Sequence, residues 1–364
     1  MNGAREFVQA LAVSRTNPKR VDLYALLAHA CAGVRAETLV SGREVSRETV
    51  YRRFREFEQL GLINHEPGGK FRTTRPGWMA MRAYARVAER FEPEELAYLA
   101  SSPARRDVIR SLDGSPADKA TLAADPHLPS RATIHRTLAQ FEEYGWIVDS
   151  PGRQYRIHED AVIAAAQLEW LYTAVQEAIE KAPAIQTMAY WADPSAHTLV
   201  GTKLNQQTPG VPNTMLNAIV DLSGLRTGEF ERLQAVVPAL DAVTFDYFEE
   251  TLAETSYQLV LDQHAFWNLS RPLNHHRLAS LRTASGVDLR VHPDPLYTVL
   301  AVFNGEHVLV GGSTRTGASD SIVGATTQLR RWAMTTFEEL WTDSDPVDPR
   351  LQAWLEQHPK SAPE

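Results

Sequence analysis

The chain contains one passage written twice. Residues 46–63 read SRETVYRRFREFEQLGLI and residues 130–147 read SRATIHRTLAQFEEYGWI, 84 positions apart with no gap. The correspondence continues, with Pro67, Gly68, Phe71 and Arg72 answered by Pro151, Gly152, Tyr155 and Arg156. Ser46 and Ser130 are good helix N-caps, and each precedes a run of helical periodicity. Val50, Phe54 and Phe57 fall at i, i+4 and i+7, and so do Ile134, Leu138 and Phe141, one apolar stripe per copy. Gly61 and Gly145 suit a left-handed C-terminal cap. Each copy therefore reads as a capped amphipathic helix, a glycine stop and a short hairpin turning at Pro-Gly.

The face opposite each stripe is polar. It carries Ser46, Arg47, Thr49, Tyr51, Arg52 and Arg53 in the first copy, with Lys70 and Arg72 in the hairpin. The second copy offers Ser130, Arg131, Thr133, His135, Arg136 and Thr137, with Arg153 in its hairpin. A helix that buries one stripe and presents Arg, Thr and Ser near its N-terminus can enter the major groove, read base edges and hold phosphates. Polar residues on a surface helix usually mean only solvation. Two copies that share Ser-Arg-x-Thr-x-x-Arg along with their core weigh against that, though common ancestry alone would also preserve the pattern.

Charge is unevenly spread. The whole chain carries a net −8, yet residues 1–91 hold 16 Lys+Arg against 9 Asp+Glu. The remaining 273 residues hold 21 against 36. A basic head on an acidic body is expected where one end meets phosphate and the other does not. The second copy is only mildly positive, which points to weaker DNA contact or to another role. No apolar run approaches a transmembrane span, and the N-terminus lacks the pattern of a signal peptide. A single cysteine, Cys31, excludes an internal disulfide and a cysteine-rich zinc site, and favours a reducing cytoplasm.

Four segments follow: a first winged helix-turn-helix over 1–91, a second with a connector helix over 92–182, an α/β domain over 183–345 and a tail over 346–364. The first begins with a helix over 19–31 and a short helix near 36–40. The recognition helix at 46–60, a hairpin wing at 62–74 and a helix over 75–89 complete it. The second has helices near 94–112 and 116–124, a recognition helix at 130–144 and a wing at 146–157. A long amphipathic helix at 158–181 is either a packed connector or a dimerisation helix. Beyond it, residues 183–230 say little. Strands fit at 257–261, 287–291, 297–303 and 307–310, with Asn304-Gly305 as a type I′ hairpin signal. Helices fit at 231–253, 271–285 and 322–341.

With these residues in view, the chain resembles a known family. The segment VIRSLDGSPADKATLAADPHLPSRATIHRTLAQFEEYGWIV is similar to winged-helix repressors of the IclR and MarR type. More specifically it resembles archaeal, chiefly haloarchaeal, regulators that join such a head to a filament-regulator-type C-terminal domain. VDLRVHPDPLYTVLAVFNGEHVLVGGS and LRRWAMTTFEELWTDSDPV resemble the closing strands and helix of that domain. The resemblance implies an α+β protein: two tandem winged helix-turn-helix modules, then an α/β, degenerate phospholipase-D-like domain, similar to the sugar-sensing domain of TrmB-type regulators. Two departures stand out: the family usually has one winged helix, and its haloarchaeal members tend to be more acidic.

A phospholipase-D-type site needs a lysine two positions after its histidine. His264, His275, His276 and His292 are followed there by Phe266, Arg277, Leu278 and Asp294. Asp262, His264, His275, His276, His292 and Asp294 could gather round a metal, although scattered, hydrogen-bonded histidines are commoner. No phosphate loop, dinucleotide fingerprint or hydrolase triad stands out. The expectation is a non-enzymatic, cytoplasmic, sequence-specific regulator of transcription that binds double-stranded DNA and needs no cofactor. Its C-terminal domain would sense a small-molecule effector, form a homodimer, or both. The rivals are an architectural or replication-type DNA binder without a ligand, and an interaction module built on the acidic second winged helix.

Overall fold

The computed structural model describes residues 2–16, 22–35, 38, 46–150, 154–206, 230–239, 245, 249, 252, 254–271, 274–314 and 317–347. It is a mixed α+β protein that divides into two compact units, Met1–Ile179 and Glu180–Glu364. Among the described residues no helix is long and apolar enough to cross a membrane.

The first unit opens with a helix that the sequence reading does not contain, α1 (Asn2–Arg15). Ala4, Phe7, Val8, Leu11 and Ala12 are buried along one face of it. α2 (Leu23–His29) follows, capped by Asp22, and runs into a 3-10 turn at Ala30–Ala32. The expected short helix near 36–40 falls almost wholly outside the described residues. Instead a two-residue strand, β1 (Val34–Arg35), precedes it. Then come α3 (Arg47–Gln59), β2 (Ile63–Glu66), β3 (Lys70–Thr73) and α4 (Arg75–Ala88). The three strands form one sheet in the order β1-β3-β2.

The second copy repeats this plan. α5 (Pro93–Ala100) and α6 (Pro103–Gly114) replace the single helix expected over 94–112. The break falls at Ser102, whose extended backbone is what a following proline imposes. α7 (Lys119–Ala124), α8 (Arg131–Glu143), β4 (Ile147–Ser150), β5 (Gln154–Ile157) and α9 (Glu159–Glu180) complete the run. α1 packs against both α2 and α5, so the two copies share one N-terminal helix.

The second unit is built on a mixed sheet. α10 (Ala182–Thr187) and a 3-10 turn at Ala196–Leu199 lead to β6 (Lys203–Asn205). β7 (Arg232–Val237), β8 (Ser256–Asp262) and β9 (Val287–His292) run parallel, with α11 (Gln263–Ser270) and α12 (His275–Thr283) between the last two. β10 (Thr298–Phe303), β11 (His307–Thr314) and β12 (Gly317–Gly324) are antiparallel. α13 (Thr327–Thr342) and β13 (Asp345–Pro346) close the unit, in the sheet order β13-β9-β8-β7-β10-β11-β12-β6. Tyr257, Leu259 and Leu261 share one core with Phe266, Leu269, Leu278 and Leu281 of α11 and α12. α13 packs against β10, β11, β7 and β9.

Three expectations are corrected here. Residues 231–253 were expected as a helix, but Arg232–Val237 is strand β7, between β8 and β10. Its apolar run is short, and burial inside a sheet outweighs the helical reading of such runs. Residues 322–324, expected to open the last helix, belong instead to strand β12 (Gly317–Gly324). Val323 and Ile322 pair with Leu309 and Val310, and α13 begins only after its cap at Thr326. Helix α12 starts at His275, and the preceding α11 was not anticipated. The hairpin at Asn304-Gly305 forms as expected, with both residues left-handed at φ 51° and 71°.

Candidate nucleic-acid interface

Both copies build the same helix end to end. Ser46 Oγ accepts from Thr49 N–H at 3.2 Å, and Ser130 Oγ accepts from Thr133 N–H at 3.4 Å. The serine and threonine hydroxyls also pair with each other, at 2.9 and 3.0 Å. At the other end Leu62 N–H returns to Phe57 O and Trp146 N–H to Phe141 O, across the left-handed glycines Gly61 and Gly145. The repeated Ser-x-x-Thr therefore serves, at least in part, to hold the helix start. Val50, Phe54 and Phe57 are buried beneath α3, and Ile134, Leu138 and Phe141 beneath α8.

The exposed face of α3 carries Arg47, Thr49 and Arg52, with Tyr51 and Arg53 half-buried. Arg52 makes no hydrogen bond or ion pair among the described residues. Arg47 lies over the Tyr51 ring at 5.3 Å, and Arg53 is paired with Glu56 at 2.7 Å. The hairpin tip adjoins this face: a Cβ at Gly69 would lie 3.9 Å from Tyr51 Oη. Lys70 is exposed on β3. Arg72 is exposed as well, but its Nε binds Glu66 and its Nη1 donates to Cys31 O at 3.3 Å. That pairing holds the Glu66 carboxyl below its ordinary range, the hydrogen bond from Arg72 being the main cause.

On α8, Arg131, His135 and Arg136 are exposed and Thr133 is half-buried. Arg136 Nε turns back toward Ala132 O at 3.4 Å. Thr137 is corrected: it is 2% exposed and belongs to the core side rather than the polar face. Arg153 lies outside the described residues. The hairpin of this copy is two-stranded, and a single bridge from Ala117 to Tyr155 stands where the first copy has β1.

In the second unit, Asp262 ends β8 and caps α11. Its Oδ1 accepts from Ala265 N–H at 2.7 Å and its Oδ2 from Leu296 N–H at 3.2 Å. Burial raises its pKa against the pull of those bonds. His292 Nδ1 accepts from Asp294 N–H at 3.1 Å. Among the described residues no three His, Cys, Asp or Glu side chains are grouped so as to hold a metal ion.

What the sequence reading lacked is β1. It brings Arg35 opposite Lys70 across the ladder. Its only local signal is Gly33-Val34 ahead of Arg35, too short for a pattern with a period of two.

Two family models match separate segments of the chain. Residues 93–179 match the HVO_A0261 N-terminal domain, and residues 213–343 match the middle domain of the methanogenesis regulatory protein FilR1. The resemblance drawn from the sequence, to archaeal regulators with a filament-regulator-type domain, holds in both segments. No curated protein matches the chain. Among solved structures, the archaeal chromatin protein TrmBL2, described as showing a novel mode of DNA binding, aligns at 16% identity. That alignment covers 69% of this chain and 94% of its own, with a TM-score of 0.30. The phospholipase D family member Nuc from Salmonella typhimurium aligns at 9% identity over 40% of this chain and 97% of its own, with a TM-score of 0.32. At these scores neither alignment informs on structure or function.

Proposed function

We propose that the chain is a sequence-specific, DNA-binding transcriptional regulator with two tandem winged helix-turn-helix modules. α3 and α8 enter the major groove of double-stranded DNA, and the β2–β3 and β4–β5 hairpins act as wings against the backbone. The observation that carries this reading is the repeated unit itself. Two helices share cap, buried stripe and glycine stop, and each turns arginines outward beside a hairpin. The match of residues 213–343 to the middle domain of a methanogenesis regulatory protein supports a regulatory rather than a purely architectural role. On this reading the second unit senses a small-molecule effector or pairs two subunits, has no catalytic task, and the protein works in the cytoplasm. Pairing would let two heads span two half-sites and raise affinity without new contacts.

The test is a gel-shift titration at fixed salt. Arg52→Ala should weaken binding by about 1–3 kcal/mol, because its guanidinium has no partner among the described residues to compete with DNA. Arg136→Ala should cost less, since its module has the weaker positive field. An Arg52 variant with intact fold that binds like wild type would remove α3 from the interface. Steep salt dependence without sequence preference would leave the architectural reading in place.

A further inference from the structure

The hairpin sheet of the first copy carries a charge row that the second copy lacks. β1 meets β3 with Arg35 opposite Lys70, and β3 meets β2 with Lys70 opposite Glu66. Directly opposed residues project from the same face of a ladder. Arg35, Lys70 and Glu66 therefore form one line across three strands. Arg72, two residues beyond Lys70, shares that face. The other face is core: Phe71 is 1% exposed and its ring meets Tyr51, Phe54 and His65.

Within this row the one carboxylate is already engaged. Arg72 donates from Nε to Glu66 Oε1 and from Nη2 to Oε2, the latter at 3.5 Å, and from Nη1 to Cys31 O at 3.3 Å. All three guanidinium nitrogens tie the hairpin to itself and to the turn at Ala30–Ala32. Arg35 and Lys70 are left exposed and face to face, without a hydrogen bond or close ion pair among the described residues; Lys70 meets Glu66 only through a longer-range attraction that helps lower the Glu66 pKa. Like charges directly opposed on a ladder destabilise it. That cost is offset once an anion sits between them.

The second copy shows what the same scaffold looks like without this demand. Gln154 stands at the position of Lys70 and Ser150 at that of Glu66. The residue after its lone bridging Ala117 is an acid, Asp118, which caps α7. Helix, glycine stop and hairpin are shared between the copies. The cation row belongs to the first alone.

We propose that Arg35 and Lys70 form a two-cation seat for the phosphodiester backbone of DNA. Arg72 is a positioning residue that holds the strands on which they stand. The proposal rests on the reading of the first copy as DNA-binding, with Tyr51 of α3 adjoining the hairpin tip. It assigns the first wing's grip to a strand before the helix as well as to the hairpin after it.

The experiment uses the full chain and a labelled mixed-sequence duplex, titrated by anisotropy across a range of salt. Removing one cation from a phosphate should lower the slope of log K against log salt by about 0.9. Arg35→Gln with Lys70→Gln should lower it by roughly twice that, equally on duplexes of different sequence. The melting temperature should hold, because the repulsion that is lost offsets the longer-range attraction of Lys70 to Glu66. Arg72→Ala should instead lower melting and binding together. A reduced slope at unchanged melting supports the seat, even if Arg52→Ala proves neutral and the helix reading falls. An unchanged slope, with Arg52→Ala still weakening binding, overturns the seat and leaves the helix reading intact. Wild-type protein without affinity for any duplex overturns both.

Discussion

The ring of Phe7 meets the ring of Phe57 edge-on, with centroids 4.9 Å apart, and so fixes α1 to the inner face of α3. Both side chains are buried, Phe7 completely. Arg5, on the same helix, lies 5.6 Å over the ring of Tyr172 on α9. One short helix thus touches elements of both copies. Phe7→Ala removes an edge-to-face pair and leaves a cavity, a loss of about 3–5 kcal/mol. Urea unfolding monitored by tryptophan fluorescence measures it. Hydrogen exchange should show both hairpins less protected together; loosening confined to the first copy would mean that α1 does not couple them.

Two helical glycines should respond oppositely to alanine. Helix propensity alone favours Ala over Gly by about 1 kcal/mol at an interior position. At Gly114, where an added Cβ meets nothing within 4 Å, a gain of up to that size is expected. At Gly77 the Cβ would stand 2.0 Å from Leu62 O, a backbone atom that also receives Thr74 N–H. No flexible tip can give way there, so α4 must shift off the hairpin. Thermal melting of the two variants should move in opposite directions.

Arg106 of the second copy is a buried cation, with its side chain 3% exposed. Its Nε binds Glu169 at 2.7 Å and its Nη1 donates to Leu99 O at 3.0 Å. Glu169→Gln keeps the shape but leaves that guanidinium without its counter-charge. Glu169 is itself a third exposed, so solvent screens part of the loss, and about 1–3 kcal/mol is expected. Arg106→Met with Glu169→Gln should be less damaging than the sum of the single changes. A double-mutant cycle in denaturant reads the coupling, and strict additivity would show the pair to be idle.

Glu66 gives the first hairpin an acid limit. Its carboxyl is held below the usual carboxylate range chiefly by the hydrogen bond from Arg72. A depressed folded-state pKa contributes stability above the unfolded value, and that contribution is lost as pH falls through the folded one. At neutral pH, Glu66→Gln should therefore melt below wild type. The gap should close as the acid range is traversed, since wild type then loses the same interaction. A gap independent of pH would point to packing against Gly33 rather than to charge.

The repeated helix was legible because everything that defines it is local. Ser46 and Ser130 cap their own helices, the stripes through Phe54 and Leu138 follow helical spacing, and Gly61 and Gly145 supply the stop. Asn304-Gly305 was legible for the same reason: two adjacent residues bear the whole conformational demand of a I′ turn. Helix α1 was legible in principle, since Ala4, Phe7, Val8, Leu11 and Ala12 keep helical spacing, but the reading of the first module began after it. β7 was not legible. Its short apolar run fits helix or strand equally, and only pairing with β8 on one side and β10 on the other selects the strand. The sidedness of single polar residues also needed the fold. Thr137 faces inward although its counterpart, Arg53, stays half-exposed. Arg72 and Lys70 look alike in sequence, yet one is bound to Glu66 and the Ala30–Ala32 turn while the other faces Arg35. Caps, stripes and turns draw on interactions within a few residues, so the chain alone determines them. Which cation is held and which is left open depends on partners 35 and 41 positions away, and only the assembled sheet decides that.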